Sequence, residues 1–246
     1  MMRSYSLFRI ATMTCVALSV LSAARAQLGP NLVVNGSFEE PISDNNFGSN
    51  PATWSAGQSF TGWTVTQGTI DIHRSGTGIG GSFVAVGNAY DGQQYLDLNG
   101  TPGIGGIEQT IFIATPGVYR LSFAMSGNTG WNGSFAPNAP RSMRVKVSQG
   151  ATDVFNSIFT WDPASHPTHG GHSLPNSQSY DWHETDILIP TSGNYTLSFT
   201  SLFTGNSLCG PTIDDVRLQL VPEPASMLAL GTGLAGLLAR RRRARA

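Results

Sequence analysis

The sequence predicts an all-β fold, an antiparallel sandwich of the jelly-roll type. Three observations support this prediction. Apolar and polar residues alternate in many short segments, turn residues separate those segments, and no long stretch has the period of a helix. About a dozen short strands in one domain are typical of two packed antiparallel sheets.

The clearest alternation occurs in Tyr119–Ser126, Met143–Ser148 and Tyr195–Thr200. Each of these strands can bury one face and leave the other face to solvent. Turn residues such as Asn99-Gly100 and Pro116-Gly117 separate the candidates. The remaining predicted strands are Asn31–Asn35, Trp63–Thr66, Thr69–His73, Ser82–Val86, Gln94–Leu98, Ile107–Ile113, Asp153–Thr160, Glu184–Ile189 and Ile213–Leu220.

An internal similarity links two strands. TPGVYRLSF at Thr115–Phe123 resembles TSGNYTLSF at Thr191–Phe199, an offset of 76 residues. This offset is too long for a solenoid repeat, so we expect two turn-and-strand units at equivalent places of the two sheets. Two long polar loops, Gly127–Arg141 and Asp162–Ser179, interrupt the strand pattern, and loops of such length are often functional or disordered.

Both ends of the chain have the pattern of targeting signals. Residues 1–26 contain Arg3 and Arg9, an apolar stretch and the cleavage pattern Ala24-Arg25-Ala26, which together indicate a secretory signal peptide. At the other end, V-P-E-P at Val221, Pro222, Glu223 and Pro224 precedes a charge-free apolar run of 15 residues, Ala225–Ala239, and a basic tail at 240–246.

The apolar run predicts a short transmembrane helix. At 1.5 Å per residue it spans roughly 22 Å, so flanking arginines must snorkel or the bilayer must thin. The arginine cluster marks the cytoplasmic side, which places the residues 27–220 outside.

This three-part tail resembles the PEP-CTERM sorting signal of bacteria that make extracellular polymer. The resemblance implies an exosortase-like membrane protease as partner, transient membrane association through the C-terminal helix, and processing near Pro222-Glu223-Pro224. The protein is then exported, membrane-anchored before processing, and afterwards at the cell surface or extracellular. An ordinary C-terminal anchor is the alternative.

Charge and cysteine content narrow the functions of residues 27–220. Eight of the 14 basic residues but only Glu223 of the 15 acidic ones lie in the terminal signals. The formal net charge of residues 27–220 is therefore near −8. Nucleic acid is therefore not an expected partner, because binding to it depends on basic charge. Cys209 is the one cysteine outside the signals, so no intrachain disulfide is expected, and we predict that it is buried.

Several motifs in the central segment resemble a known family. NLVVNGSFEEP opens it at Asn31–Pro41, YLDLNG lies at Tyr95–Gly100, and CGPTIDDV closes it at Cys209–Val216. In this order they resemble the choice-of-anchor C family and a related family of plant cell-wall proteins of unknown function. The resemblance implies one galactose-binding-like jelly roll over residues 27–220, similar to many carbohydrate-binding modules.

Two acidic pairs suggest a calcium site. Glu39-Glu40 follows the first predicted strand, and Asp214-Asp215 begins the last one. Carboxylates brought together there would suit Ca²⁺, which takes hard oxygen ligands, and modules of similar fold often hold a structural calcium near this position. Glu39, Asp214 and Asp215 are the candidate ligands. The alternative is that the aspartates form turn hydrogen bonds and the glutamates are solvated.

Aromatic side chains are the candidate sugar contacts, because sugar rings stack their C–H faces on exposed rings. Trp54, Trp131 and Trp161 lie in or beside polar loops, so we expect them to be exposed, with Asn132 available to bond hydroxyl groups. Trp63 and Trp182 are predicted to be core residues.

Two other patterns are weaker. His166, His169 and His172 have a spacing that could bind Zn²⁺ or Cu²⁺, although a polar loop that is merely rich in histidine is the alternative. No catalytic residue is predicted, since Gly171–Pro175 departs from the nucleophile elbow at its last position.

The sequence therefore predicts a non-catalytic exported protein of the cell surface or extracellular matrix that binds polysaccharide. A structural matrix protein that self-associates without a specific ligand is the second hypothesis, and a glycan-cleaving enzyme is the third. Exposed Trp54 and Trp131 would favour the first hypothesis. Their burial together with a bare sheet edge would favour the second.

Overall fold

The computed structural model describes residues 27–42, 52–75, 88–100, 102–128, 139–166, 179–205 and 208–222, together with Gly233. The chain divides into two units, Pro30–Leu220 and the terminal segments Met1–Gly29 with Val221–Ala246. The predicted signal peptide, the predicted strand Ser82–Val86 and, apart from Gly233, the predicted span Ala225–Ala239 lie outside the described residues. Among the residues that are described, no helix is long and apolar enough to cross a bilayer.

Pro30–Leu220 is built from short strands, as predicted. In chain order they are β1 Ala52–Ser55, β2 Ser59–Phe60, β3 Trp63–Gln67, β4 Thr69–Arg74, β5 Gln94–Asp97, β6 Gly106–Ile113, β7 Gly117–Gly127, β8 Arg141–Gln149, β9 Thr152–Trp161, β10 Asp181–Ile189, β11 Gly193–Ser201 and β12 Pro211–Leu220. A short 3-10 turn, Pro163–Ser165, follows β9.

The strands form two antiparallel sheets of six. The first sheet has the order β1-β4-β5-β12-β7-β10, and the second has the order β2-β3-β6-β11-β8-β9. The chain passes repeatedly from one sheet to the other, so neighbours within a sheet are mostly not neighbours in sequence. This architecture confirms the predicted all-β sandwich of the jelly-roll type.

The core lies between the two sheets and follows the alternation that the sequence shows. Leu121 and Phe123 from β7 and Leu197 and Phe199 from β11 are completely buried. The rings of Phe123 and Phe199 meet edge to face across the two sheets, with their centroids 5.5 Å apart. Each buried side chain of this size stabilises the fold by about 1.5–3 kcal/mol.

The internal similarity also has its expected outcome. Thr115–Phe123 leads into β7 of the first sheet, and Thr191–Phe199 leads into β11 of the second. The two similar segments therefore are turn-and-strand units in the two sheets.

The predicted strand Asn31–Asn35 is wrong, because side-chain amides take the place of a strand partner. The Asn31 Oδ1 atom accepts the backbone N–H groups of Val33 and Leu218 at 3.0 and 2.9 Å. The Gln109 side chain pairs in the same way with the backbone of Val34. The segment thereby lies beside β12 without joining a sheet.

The opening and closing motifs pack directly on each other. The backbone N–H of Val216 donates to the carbonyl of Gly36 at 3.0 Å. A Cβ atom on Gly36 would lie 2.1 Å from the Val216 carbonyl oxygen, so only glycine fits at this contact. The two motifs are far apart in sequence, and this contact gives the physical reason for the glycine.

Candidate functional site

Polar side chains line the outer face of the first sheet, opposite the core. Strand register places Thr53, Asp71, Asp97, Thr212 and Ser126 side by side across five neighbouring strands. All but Thr53 are buried. Residues paired in register share one face of a sheet, so this polar row is a single continuous feature.

Asp97 is the most heavily bonded member of the polar row. Its Oδ1 atom accepts the backbone N–H groups of Asn99 and Gly210 at 2.8 and 3.0 Å, and its Oδ2 atom accepts the Asn128 side chain at 2.7 Å. Burial raises the pKa of Asp97 to about 8, against the opposing effect of these hydrogen bonds. The carboxyl group therefore holds a proton at neutral pH.

A second row lies beside the first. His73 and Tyr95 are paired in register, and their rings stack with centroids 5.3 Å apart. Burial lowers the pKa of His73 and raises that of Tyr95.

Three polar atoms of this face, His73 Nε2, the Tyr95 hydroxyl and Ser126 Oγ, are buried without a hydrogen-bond partner among the described residues. Such atoms cost about 1–3 kcal/mol each unless a partner is supplied. A buried water molecule can satisfy polar groups of this kind.

An aromatic cluster of Tyr90, Tyr180 and Trp182 borders the polar rows. The ring of Tyr90 stacks on that of Trp182 at 5.5 Å and 17°, and it meets Tyr180 edge to face at 5.6 Å. Tyr90 is 48% exposed and Trp182 is 37% exposed. The indole N–H of Trp182 donates to Glu184 at 3.0 Å, which fixes the orientation of the ring.

Two distant carboxylates hold the segment that carries Tyr90. The Asp214 Oδ2 atom accepts the backbone N–H groups of Tyr90 and Asp91 at 2.7 and 2.9 Å. The Glu39 Oε1 atom accepts those of Gln93 and Gln94, both at 2.7 Å. Residues 90–94 are therefore anchored at both ends by pairs of backbone hydrogen bonds to carboxyl oxygens.

Gly92 completes this anchor. Its φ of +68° lies in the left-handed region, and a Cβ atom would lie 2.4 Å from the Glu39 Oε1 atom. Glycine is the residue that fits both conditions.

Asp215 reaches the aromatic cluster through Arg217. Asp215 lies at an irregularity of β12 with a φ of 48°. Its two carboxylate oxygens accept the Arg217 Nε and Nη2 groups at 2.7 and 2.6 Å. The guanidinium then lies 5.7 Å from the Trp182 ring, at the distance of a cation–π contact.

The three predicted calcium ligands thus lie around one site, and each already has protein donors. Burial raises the pKa of Asp214 to about 8, although three backbone N–H groups oppose the shift. In the part of the chain that the structure describes, no three acidic, histidine or cysteine side chains are grouped closely enough to hold a metal ion. Calcium at Glu39, Asp214 and Asp215 stays a prediction.

The family of the chain follows from a comparison with known families. Residues 31–219 match the model described as "Protein of unknown function (DUF642)". The chain belongs to the DUF642 family. This match confirms the resemblance to the family of plant cell-wall proteins of unknown function, whereas choice-of-anchor C stays a prediction.

The C-terminal tail matches a sorting motif. Residues 220–243 match the PEP-CTERM protein-sorting motif, which indicates an exported protein that is sorted through its C-terminus. Of the predicted motif, Val221 and Pro222 are described and partly exposed, and Glu223 and Pro224 lie outside the described residues.

Other similarities are more distant. Halomucin of Haloquadratum walsbyi is 27% identical over 230 residues, which cover 87% of the DUF642 chain but only 2% of halomucin. The structure of TmCBM61 in complex with beta-1,4-galactotriose has a TM-score of 0.45 at 14% identity and covers 77% of this chain and 98% of that one. A CBM4 structure has a TM-score of 0.40 at 18% identity, with coverages of 76% and 98%.

The predicted tryptophan contacts have mixed outcomes. The expectation that Trp161 is exposed is wrong: it is fully buried, and its indole donates to the Ser179 carbonyl at 3.0 Å. Trp54 is half-buried and packs against the core beside Phe60, because it shares the inner face of β1. Trp131 and Asn132 lie outside the described residues.

Of the remaining predictions for aromatic and cysteine side chains, two are confirmed and one is wrong. Trp63 is a core residue, as predicted, and Cys209 is buried, with its thiol pKa raised by that burial. Trp182 is exposed, so its assignment to the core is wrong. The alternation along β10 could have predicted this exposure. Ile187 and Ile189 face inward, so Trp182, an odd number of positions away, must face outward. Tyr90 was not among the candidates, and no periodic pattern surrounds it.

The histidine loop is described only at its start. His166 contacts the Asp181 carboxylate at 3.0 Å through Nε2 and the Asp162 carbonyl at 2.9 Å through Nδ1. Its ring also stacks on Trp161 at 5.0 Å. His169 and His172 lie outside the described residues, so metal binding by this loop stays a prediction.

Proposed function

We propose that this DUF642 protein is a non-catalytic, exported protein of the cell surface or extracellular matrix that binds polysaccharide on the outer face of its first sheet. The observation that carries the proposal is the stacked pair of Tyr90 and Trp182, which is partly exposed beside buried polar atoms. An aromatic platform with adjacent hydrogen-bonding groups is the arrangement that sugar rings require, because they have apolar C–H faces and polar edges.

The polar groups of this face suit hydroxyl recognition. Beneath the aromatic pair, His73 Nε2, the Tyr95 hydroxyl and Ser126 Oγ are buried acceptors and donors, which a bound sugar would reach through an ordered water molecule. A sugar hydroxyl can donate and accept at the same time, so it can satisfy either kind of group.

Charge favours a neutral polymer over a polyanion. Arg217, the cation beside the aromatic cluster, is paired with Asp215 through two hydrogen bonds. Glu184 adds a further negative charge at Trp182. A polyanionic sugar would meet this acidic rim at a cost, whereas a neutral sugar would not.

Sorting through the C-terminus is consistent with polysaccharide binding outside the cell. The PEP-CTERM motif supports processing by an exosortase-like membrane protease near Pro222-Glu223-Pro224, after transient anchoring through the C-terminal apolar segment. Extracellular polysaccharide is then available to the released or transferred domain.

One observation favours the structural alternative. Trp54 packs against the core instead of projecting into solvent, and β10 is an edge strand of the first sheet with Leu188 exposed. An open edge strand can pair with another copy, so self-association without a ligand is the second candidate function.

A polysaccharide screen of residues 27–220 distinguishes the two functions. We expect saturable binding to at least one neutral polysaccharide, and Trp182→Ala should weaken it at least tenfold. Ile158→Ala is the matched control, because Ile158 is an exposed apolar residue of the second sheet. Absence of binding to every neutral polymer, combined with oligomers in light scattering, would overturn the proposal in favour of self-association.

A further inference from the structure

One end of the sandwich differs from the rest of its surface. At this end, here called the β12 end, β12 finishes at Leu220 beside Tyr119 near the start of β7. The connections at residues 114–116, 150–151 and 190–192 are tight and join β6 to β7, β8 to β9 and β10 to β11. Because two of these turns link the two sheets, both sheets end there together.

The β12 end carries no charged side chain in the segments that form it. Residues 109–119, 147–152, 187–199 and 218–222 contain no aspartate, glutamate, lysine or arginine. Among the nearest charges inward from this end, Arg120 pairs with Asp186 at 2.8 Å and Lys146 pairs with Asp153 at 2.9 Å. These partners lower the pKa of both aspartates, so the pairs stay ionised and mutually neutralised.

Large apolar side chains are exposed around the same end. Phe112 is 65% exposed on the second sheet, and Leu188 is 66% and Val118 38% exposed on the first. Val118 and Leu188 are register partners, so their side chains lie side by side. The apolar residues therefore occur on both sheets at one end of the domain.

The connection to the C-terminal segment is short. Five peptide steps separate Leu220 from Ala225, where the predicted membrane span begins, and they cover at most about 18 Å. While the chain is anchored, the β12 end is thus within this distance of the start of the apolar segment.

We propose that the β12 end is a lipid-docking surface on which the domain rests while it is anchored. Its exposed Phe112, Leu188 and Val118 enter the interfacial region, where burial of apolar area is favourable. The absence of charge removes the desolvation cost that ionised groups would add. This inference depends on the predicted C-terminal anchor and not on polysaccharide binding, so either can fail without the other.

Docking in this way gives the anchored protein one orientation. The residues that the structure describes after β5, β9 and β11 lie at the opposite end of the sandwich, away from the lipid. The Val221–Pro224 motif is held close to the bilayer, where a membrane protease acts.

Depth-dependent fluorescence quenching on the full-length chain tests the proposal. The chain, with its signal peptide removed, is reconstituted into phosphatidylcholine vesicles with nitroxide-labelled headgroups, and a fluorophore is attached at Ser192→Cys or Ser165→Cys. Ser192 lies in the turn before β11 at the β12 end, whereas Ser165 follows β9 at the opposite end. Native Cys209 is buried, so the added cysteine takes the label. We expect at least threefold stronger quenching at Ser192 than at Ser165.

Variants assign that quenching to the apolar residues. Phe112→Ser with Leu188→Ser should reduce quenching at Ser192 at least twofold, whereas Ile158→Ser, an exposed residue away from this end, should not. Both replaced side chains are exposed, so the core is not disturbed. Equal quenching at the two labels, an equal effect of the control variant, or failure of the chain to float with the vesicles would each overturn the proposal.

Discussion

Tyr119 and Tyr195 make the same hydrogen bond in the two sheets. The Tyr119 hydroxyl donates to the Thr115 carbonyl at 2.7 Å, and the Tyr195 hydroxyl donates to the Thr191 carbonyl at 3.0 Å. In each case the acceptor lies four residues upstream and on the other side of a tight turn. The internal similarity of the sequence therefore has a physical meaning: a buried tyrosine fastens the turn before a core strand.

These tyrosines lead to a stability prediction. Tyr119→Phe and Tyr195→Phe should each lower the free energy of unfolding by about 1 kcal/mol, the usual net value of one hydrogen bond. Chemical denaturation measures the change. Tyr180→Phe is the comparison, because its hydroxyl bonds the Asn88 carbonyl outside the two similar segments. A change below the error of the measurement in both variants would show that the turns do not depend on these bonds.

The anchoring of residues 90–94 leads to a binding prediction. Glu39→Gln should weaken polysaccharide binding about threefold to tenfold, because a neutral amide holds the N–H groups of Gln93 and Gln94 less strongly than a carboxylate does. Titration calorimetry measures affinity, and hydrogen exchange at Gln93 and Gln94 should accelerate in parallel.

Glu40→Gln is the control for Glu39, since it removes the same charge from the neighbouring, exposed position. If Glu40→Gln weakens binding as much as Glu39→Gln, the effect is one of net charge, and the anchoring role is refuted.

The two buried aspartates lead to a pH prediction. The pKa values of Asp97 and Asp214 are raised from 3.8 to about 8 in the folded protein. The folded state therefore holds more protons than the unfolded chain between about pH 4 and 8, and stability falls as the pH rises through this window. The lowered pKa values of His73 and His183 act in the opposite direction below pH 6.5. Above pH 6.5 the aspartates dominate, until near pH 9 the Cys209 thiol, whose pKa is also raised by burial, adds a change of the same sign.

Thermal unfolding from pH 6.5 to 9 measures this effect. We expect the melting temperature to fall across the range and Asp97→Asn to flatten the fall. Asp153→Asn should leave the slope unchanged, because Lys146 keeps the pKa of Asp153 low. A melting temperature that rises with pH in this range would contradict the assigned protonation states.

Calcium at Glu39, Asp214 and Asp215 can be tested through Arg217. Both oxygens of Asp215 are bonded to Arg217, so calcium must displace this guanidinium to reach the carboxylate. If these carboxylates hold a structural calcium ion, the Arg217→Gln variant should bind calcium more tightly than the native protein does. Calorimetry in chelator-stripped buffer measures the two affinities. Arg120→Gln, which frees a carboxylate elsewhere on the first sheet, is the control. No heat of binding in either protein would show the calcium prediction to be wrong.

Local patterns were sufficient for much of the fold. The alternation in β7, β8 and β11 places Leu121, Val145 and Leu197 in the core, since side chains on a strand alternate between its two faces. The failure at Asn31–Asn35 is equally physical. Its apolar residues resemble a strand, but the side chains of Asn31 and Gln109 bond the backbone groups that a ladder would use.

The candidate site was predicted less well, because its contacts join distant parts of the chain. Asp214 bonds residues 123 and 124 positions away, and Glu39 bonds residues 54 and 55 positions away. The three carboxylates chosen as calcium ligands lie around the aromatic cluster, but in the described part of the chain they are not grouped closely enough to hold a metal ion. There they hold the Tyr90 segment and position Arg217 against Trp182.

The sequence by itself determined the strand content, the acidic balance of the central segment and the sorting motif, because each depends on residues close together in the chain. The tertiary structure decided which aromatic residues are exposed and which carboxylates meet. Trp54 and Trp161 turn inward and Trp182 outward according to the face of the strand on which each lies. The platform of Tyr90 and Trp182 forms only when the fold brings residues 90–94 over β10 and β12.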